Sequence, residues 1–201
     1  MSRNLEFREA GREMWQRGRA LNDQSKYGEA EIQLQQAADR QEKTLGEDHK
    51  DTLRSKHWLG HSLYKQNKYS EAEVQLQQAA DRREKTLGGD HKDTLRSKHW
   101  LGHSLCEQNK YSEAEAQFQQ AADRQERTLG KDDLNTLENK YWLGLALYKQ
   151  NKYGKAEIQL QQAADGQEKT LGKDDLNTLE NKYWLGLALY KQNKYGKAEI
   201  Q

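Results

Sequence analysis

Two apolar patterns alternate along the chain. Leu59, Gly60 and Leu63 fall at helical steps within a segment whose spacing predicts a helix from near residue 52 to Gln66, with equivalents starting near 94, 136 and 178. Ala72, Leu76, Ala79, Ala80 and Leu87 follow the same period and predict a second helix. Between the two stands Asn67-Lys68-Tyr69, a tight turn in which Asn tolerates the left-handed conformation that ends many helices. Gly88 ends the second helix. Asp51 or Asn135 stands before the first helix as its expected cap, Asn135 with Glu138 three residues on having the form of a capping box, and Ser70-Glu71-Ala72-Glu73 has that form for the second.

This pair recurs. Tyr27, Tyr69, Tyr111, Tyr153 and Tyr195 are 42 residues apart, as are Trp58, Trp100, Trp142 and Trp184. Residues 48–63 recur unchanged at 90–105, and residues 129–159 recur unchanged at 171–201. A single array over 1–201 follows, with units at about 10–51, 52–93, 94–135, 136–177 and an incomplete 178–201. The unit 10–51 is divergent, because Gln16 and Arg17 stand where later units have Trp58 and Leu59, and it reads as a polar cap or a decaying copy. Each helix of about 16 residues is roughly 24 Å long with one apolar side and cannot bury it alone. Stacking on neighbours is therefore required, with Gly60, Ala72 and Ala79 at the closest approach and Leu59, Leu63 and Leu76 around them. The expected fold class is all-α, a right-handed α-solenoid of tandem helix-turn-helix hairpins.

Leu59-Gly60, Leu63, Tyr69, Ala72, Leu76 and Ala79 resemble the tetratricopeptide repeat. The 42-residue period and the connector Leu87-Gly88 through Thr94-Leu95 resemble its kinesin-light-chain variety, and SKHWLGHSLYKQNKYSEAE is similar to fungal arrays found behind the nucleotide-binding domain of NOD-like receptors. The chain departs from the family in having no proline, with Lys50 and Lys92 where the connector would carry one. The resemblance implies a concave groove, lined by the first helix of each unit, that takes a peptide or protein. Arg54, His57, His61 and Tyr64 share one helix face by their spacing, and the resemblance points that face into the groove. The next units supply Arg96, His99, His103 and Cys106, then Glu138, Tyr141, Leu145 and Tyr148, then Glu180, Tyr183, Leu187 and Tyr190. A basic stretch thus gives way to an aromatic one with a carboxylate per unit, suited to a ligand acidic toward one end and apolar or basic toward the other. The rival reading is an ordinary solvated helix face.

Other chemistry is thinly supported. His57 with His61, and His99 with His103, have the i, i+4 spacing that lets two imidazoles hold one metal ion or titrate together, but no HExxH arrangement or cysteine pair accompanies them. No metal or cofactor is expected, and metal binding or pH sensing stands as the alternative use of these histidines. Trp58 and its equivalents read as packing between repeats. Cys106 replaces Tyr64 in one unit only, without support for a nucleophile. Gly130-Lys131 and Gly172-Lys173 lie where a helix ends and lack the Ser or Thr of a phosphate loop, so no catalysis is expected. His49 and His91 give way to Asp133 and Asp175 later, which argues against a chemical duty.

Composition narrows the partners. Lys plus Arg total 33 against 32 Asp plus Glu, a formal charge of +1, so no basic field favours nucleic acid or an anionic membrane. Leu, Ile, Val and Phe make only 31 of 201 residues, which suits a thin, elongated core. The single Cys106 excludes an internal disulfide, and no Asn-x-Ser/Thr sequon occurs. No apolar run approaches the ~18 residues of a membrane span. Arg3, Arg8, Arg12, Arg17 and Arg19 leave no apolar signal-peptide core, so a cytoplasmic location is the expectation. After Gln201 the last helix would need about a dozen more residues to match 159–171, leaving Leu179, Leu185, Leu187 and Leu189 without most of their cover. A fragment of a longer protein is the favoured expectation, with a homodimer through the incomplete C-terminal unit and a frayed terminus as the others, and the sensor array of a fungal NOD-like signalling NTPase is the alternative to a peptide- or protein-binding scaffold.

Overall fold

The 42-residue period becomes a pair of helices repeated along the chain. The computed structural model describes residues 2–193, with side chains from residue 7 onward. Among the described residues there are nine helices and no strand: α1 (Ser2–Asp23), α2 (Tyr27–Leu45), α3 (Lys50–Lys65), α4 (Tyr69–Leu87), α5 (Lys92–Glu107), α6 (Tyr111–Leu129), α7 (Leu134–Lys149), α8 (Tyr153–Leu171) and α9 (Leu176–Lys191). The fold is an all-α solenoid of helical hairpins. Contacts divide the chain into two compact units, Met1–Gln108 with α1 to α5 and Asn109–Gln201 with α6 to α9. Within each unit every helix packs on the next, and α3 touches both α1 and α5, as α7 touches α9. Residues 194–201, which include Tyr195 and much of the segment expected to dimerise, lie outside the described residues. No described helix is long and apolar enough to cross a membrane.

The core is thin, as the small count of aliphatics required. In unit 1 it holds Leu34, Leu53, Leu59, Leu76 and Leu101 with Ala30, Ala37, Ala72 and Ala79, all sealed from solvent. In unit 2 Phe118 and Leu160 take the place of Leu76, beside Leu137, Leu143 and Leu185. Gly60 shows why small residues recur: a Cβ built there would stand 2.5 Å from Leu76 Cγ, and one at Gly144 would stand 2.6 Å from Leu160 Cγ. Gly18 repeats this against Leu34, so the divergent first unit keeps the close approach.

The turns behave as their residues dictate. Asn67, Asn109, Asn151 and Asn193 take positive φ near 60°, with Ser25 in the same role. Gly88 ends α4 at φ 91°, a region that side chains rarely adopt. A glutamine just after α3, α5, α7 and α9 clips the start of the preceding even helix: Gln66 Nε2 donates to the Tyr27 carbonyl (3.1 Å) and to Glu31 (2.8 Å), and Gln150 does the same to Tyr111 (3.1 Å) and Glu115 (2.8 Å). Lys56 is nearly buried and pairs with Glu42 (3.0 Å), and Lys140 pairs with Glu126 (2.8 Å), so an ion pair lies in the joint between an even helix and the odd helix that follows it.

Both capping expectations need correction. The odd helices start at 50, 92, 134 and 176, and their N-caps are His49, His91, Asp133 and Asp175 rather than Asp51 or Asn135. His49 Nδ1 accepts from the Asp51 N–H at 3.2 Å, and Asp133 Oδ1 accepts from the Asn135 N–H at 2.9 Å. Imidazole and carboxylate thus do one job, which is why they exchange between units. Ser70 does not cap α4. The N-cap there is Lys68, without a side-chain bond, and the Ser70 hydroxyl donates to Gln108 Oε1 at 3.1 Å.

Candidate functional site

Because α3 lies against both α1 and α5, residues of neighbouring odd helices meet. In unit 1 they form a stripe of rings and cations. The Arg54 guanidinium lies 3.8 Å from the centre of the Trp15 ring, and Arg19 lies 3.8 Å over Trp58, which Arg96 approaches from α5 at 5.8 Å. Lys65 stands 5.4 Å over Trp100. Such cation–ring contacts hold the indoles half-buried between helices. Arg19 is also bonded to Asp23, Arg54 to Asp51 (2.8 Å) and Arg96 to Asp93 (2.9 Å). The His61 ring meets Trp100 edge-on at 4.4 Å, and Tyr64 lies 5.4 Å from Trp100 and 5.9 Å from His103. Burial holds the His61 pKa at about 4, with Lys65 and Arg19 adding to the effect.

The structure separates the expected site residues into those that reach this stripe and those beneath it. Arg54, His61, Tyr64, Arg96 and His99 are half-buried or exposed within it. His57 does not point into a groove: it is fully buried, its Nδ1 is 3.2 Å from the Ser97 hydroxyl of α5, and burial followed by Arg83 and Arg96 pushes its pKa well down. His103 is also buried, with its Nε2 3.0 Å from that of His99, and burial followed by the His99 and Lys65 charges depresses its pKa. The physical reason is width: residues 3 and 4 apart share an arc broad enough that one edge faces the neighbouring helix. Among the described residues no three His, Cys, Asp or Glu side chains gather as a metal site would need.

Unit 2 builds its odd-helix contacts from different residues. Tyr141 is buried, and its hydroxyl donates to Glu180 Oε1 of α9 at 2.7 Å, so burial and that carboxylate push its pKa upward. Tyr148 packs on Tyr153 (5.3 Å) and Trp184 (5.5 Å), with Lys149 over Trp184 at 5.7 Å. Leu145 is buried, Leu187 is half-buried and Glu138 is exposed. Tyr183 and Tyr190 stand out at 62% and 55% exposure. Cys106, on α5 in unit 1, is half-buried and belongs to no disulfide.

Sequence reading missed Trp15, Arg19, Lys65 and Arg83. Trp15 sits one residue before the place where the period puts an indole, yet it receives Arg54 as Trp58 receives Arg96. Arg83 carried a plain signal: it stands where the other units have Gln41, Gln125 and Gln167.

A family model described as tetratricopeptide repeat matches residues 12–85, 51–127 and 93–169. The chain belongs to the tetratricopeptide repeat family. No curated protein matches this tetratricopeptide repeat chain. Among solved structures it is similar to the nearly identical TPR-like repeats of a kinesin-light-chain-like protein from Podosopora anserina, at TM-score 0.82 and 25% identity, covering 94% of this chain and 89% of that one. Apo RapI shares the fold at TM-score 0.81 and 16% identity over 94% of this chain and 66% of its own. A Rap protein complexed with Competence and Sporulation Factor shares it at TM-score 0.67 and 16% identity, over 93% of this chain and 50% of its own.

Proposed function

We propose that the chain is a non-catalytic interaction scaffold whose odd helices hold a peptide or protein. Tetratricopeptide repeats are typical of protein–protein interaction scaffolds, and Rap, which shares the fold, is complexed with Competence and Sporulation Factor. The observation that carries the reading is the unit 1 stripe, in which Trp58 lies between Arg19 and Arg96 while His61, Tyr64 and Lys65 surround Trp100. Trp, Tyr and Arg dominate binding energy at interfaces, and rings already fixed by neighbours lose little freedom when a ligand arrives. Arg54 and Arg96 each give one bond to an aspartate and keep further N–H donors for a ligand carboxylate. Unit 1 therefore suits an acidic stretch, and unit 2, with Tyr148, Tyr183 and Tyr190, suits an apolar or basic one. The reading calls for no nucleic acid, membrane, metal or cofactor.

Peptides selected from a random displayed library against the whole chain test this. Acidic peptides so obtained should bind at least about tenfold more weakly, by calorimetry, to a chain with Arg54→Glu and Arg96→Glu together. Circular dichroism showing an intact helix content makes the loss a binding effect. Unchanged affinity would place the site away from these helices.

A further inference from the structure

At the connector end of unit 1 a cavity of about 610 Å³ opens beside the start of α3, within the roughly 300–1,000 Å³ range of small-molecule sites. Its walls carry five cations, Arg8, Arg12, Lys50, Arg54 and Arg83, and three carboxylates, Asp48, Asp51 and Asp93. Every carboxylate is already engaged: Asp48 with Arg82 (2.9 Å), Asp51 with Arg54 (2.8 Å) and Asp93 with Arg96 (2.9 Å). Among the described residues Arg8, Arg12, Lys50 and Arg83 have no ion-pair partner. The cavity is left with surplus positive charge.

Arg83 makes that surplus costly. It is 2% exposed, and its Nη1 donates to the Asp93 carbonyl (3.0 Å) and the Ser97 hydroxyl (2.7 Å), both neutral acceptors. Burial pulls its pKa down to about 10, and Arg96 and Arg54 push the same way against the opposing pull of Asp93. A buried charge bonded only to neutral groups opposes folding. The other units show that the fold does not need it. Gln41 Oε1 accepts from Ser55 (2.6 Å), and Gln125 and Gln167 accept from Asn139 (2.7 Å) and Asn181 (2.8 Å) across the same joint. One unit in a near-identical series thus exchanges a neutral amide for a guanidinium, facing a cavity that already holds three unpaired cations.

We propose that this cavity binds a small oxyanion bearing two or more phosphate or carboxylate groups, with Arg83 as its buried contact and Arg8, Arg12 and Lys50 at its mouth. Guanidinium forks match such groups in geometry and charge. The cavity borders the peptide surface and shares Arg54 with it, whereas Arg83 takes no part in that surface.

Calorimetry and thermal melts of the whole chain with sodium pyrophosphate, citrate and, at matched ionic strength, sodium chloride decide the matter. The wild type should bind pyrophosphate or citrate and melt at a higher temperature with it, and the stronger of the two names the phosphate or carboxylate class. Arg83→Gln, which restores the residue of the other units, should fold with an equal or higher melting temperature and bind at least tenfold more weakly. Arg12→Gln at the exposed mouth should weaken binding about threefold, as expected for a rim charge. Equal stabilisation by chloride, no binding of either probe at millimolar concentration, or unchanged affinity in Arg83→Gln would overturn the proposal. Peptides selected on the odd helices should bind Arg83→Gln as they bind wild type, so either proposal can fail alone.

Discussion

Helices α3 and α7 occupy the same place in their hairpins and bury the same framework: Thr52 and Thr136, Leu53 and Leu137, Lys56 and Lys140, Leu59 and Leu143, Gly60 and Gly144, Leu63 and Leu147. They differ at Lys50 and Leu134, Asp51 and Asn135, Arg54 and Glu138, Ser55 and Asn139, His57 and Tyr141, His61 and Leu145, Ser62 and Ala146. Several of the differing positions face the neighbouring odd helix. Asn22 of α1 donates to Ser62 (2.6 Å) and His57 meets Ser97 in unit 1, whereas Tyr141 bonds Glu180 in unit 2. The lesson is a division of labour: the hairpin interior is fixed by shape, and the joint between odd helices is free to be polar and titratable or apolar and aromatic.

The largest test of that division strikes the shared part. Gly60→Val and Gly144→Val both drive a side chain into a leucine of the partner helix, since even a Cβ comes within 2.6 Å of Leu76 or Leu160 Cγ. Each should cost about 3 kcal/mol in urea unfolding, at the upper end of overpacking. Similar losses in both units would confirm a common framework. A cost confined to one unit would mean that the hairpin interiors differ after all.

The next test strikes the joint. His61 is held neutral by burial: the native side chain takes up a proton only near pH 4, while an unfolded chain does so near pH 6.5. Between those values the unfolded state binds more protons, so stability falls as pH falls. His57 and His103 shift in the same direction for the same reason, burial. His61→Leu adopts the residue of Leu145 and should remove about 2 kcal/mol of the stability lost between pH 7 and pH 4, allowing for partial solvent access. An acid slope unchanged in this variant would shift the origin of acid sensitivity away from His61.

How much of this was legible follows from what each residue has to satisfy. The hairpin, the Gly60 approach, the asparagine turns and the glycine stops could be read because they depend on spacing and backbone conformation. The direction of His57 could not, since a helical arc gives which residues share a side but not how far the adjacent helix wraps around it. Trp15 escaped because it is out of register with the period that reveals the other indoles. Arg83 was visible as a break in the repeat, and its meaning waited on the cavity that surrounds it. The caps misled for two reasons: in unit 1 Asp51 is a favoured cap type and the imidazole of His49 two residues earlier is not, and in unit 2 Asp133 and Asn135 are both favoured types.

The smallest effect belongs to those caps, and it couples two positions. In unit 1 the cap is His49 with Asp51 two residues on, and in unit 2 it is Asp133 with Asn135. Across the cap and the residue two positions on, each arrangement has one carboxylate, which favours the macrodipole. Asp133→His alone removes that carboxylate while keeping an acceptor, and should cost about 0.5 kcal/mol. Asn135→Asp alone sets two carboxylates side by side and should gain nothing. Together they reproduce the unit 1 cap and should return stability to within about 0.3 kcal/mol of wild type, a coupling that a double-mutant cycle in urea resolves. Strict additivity would show that the two caps are independent of their following residue, and that the exchange of His for Asp between units reflects the acceptor alone.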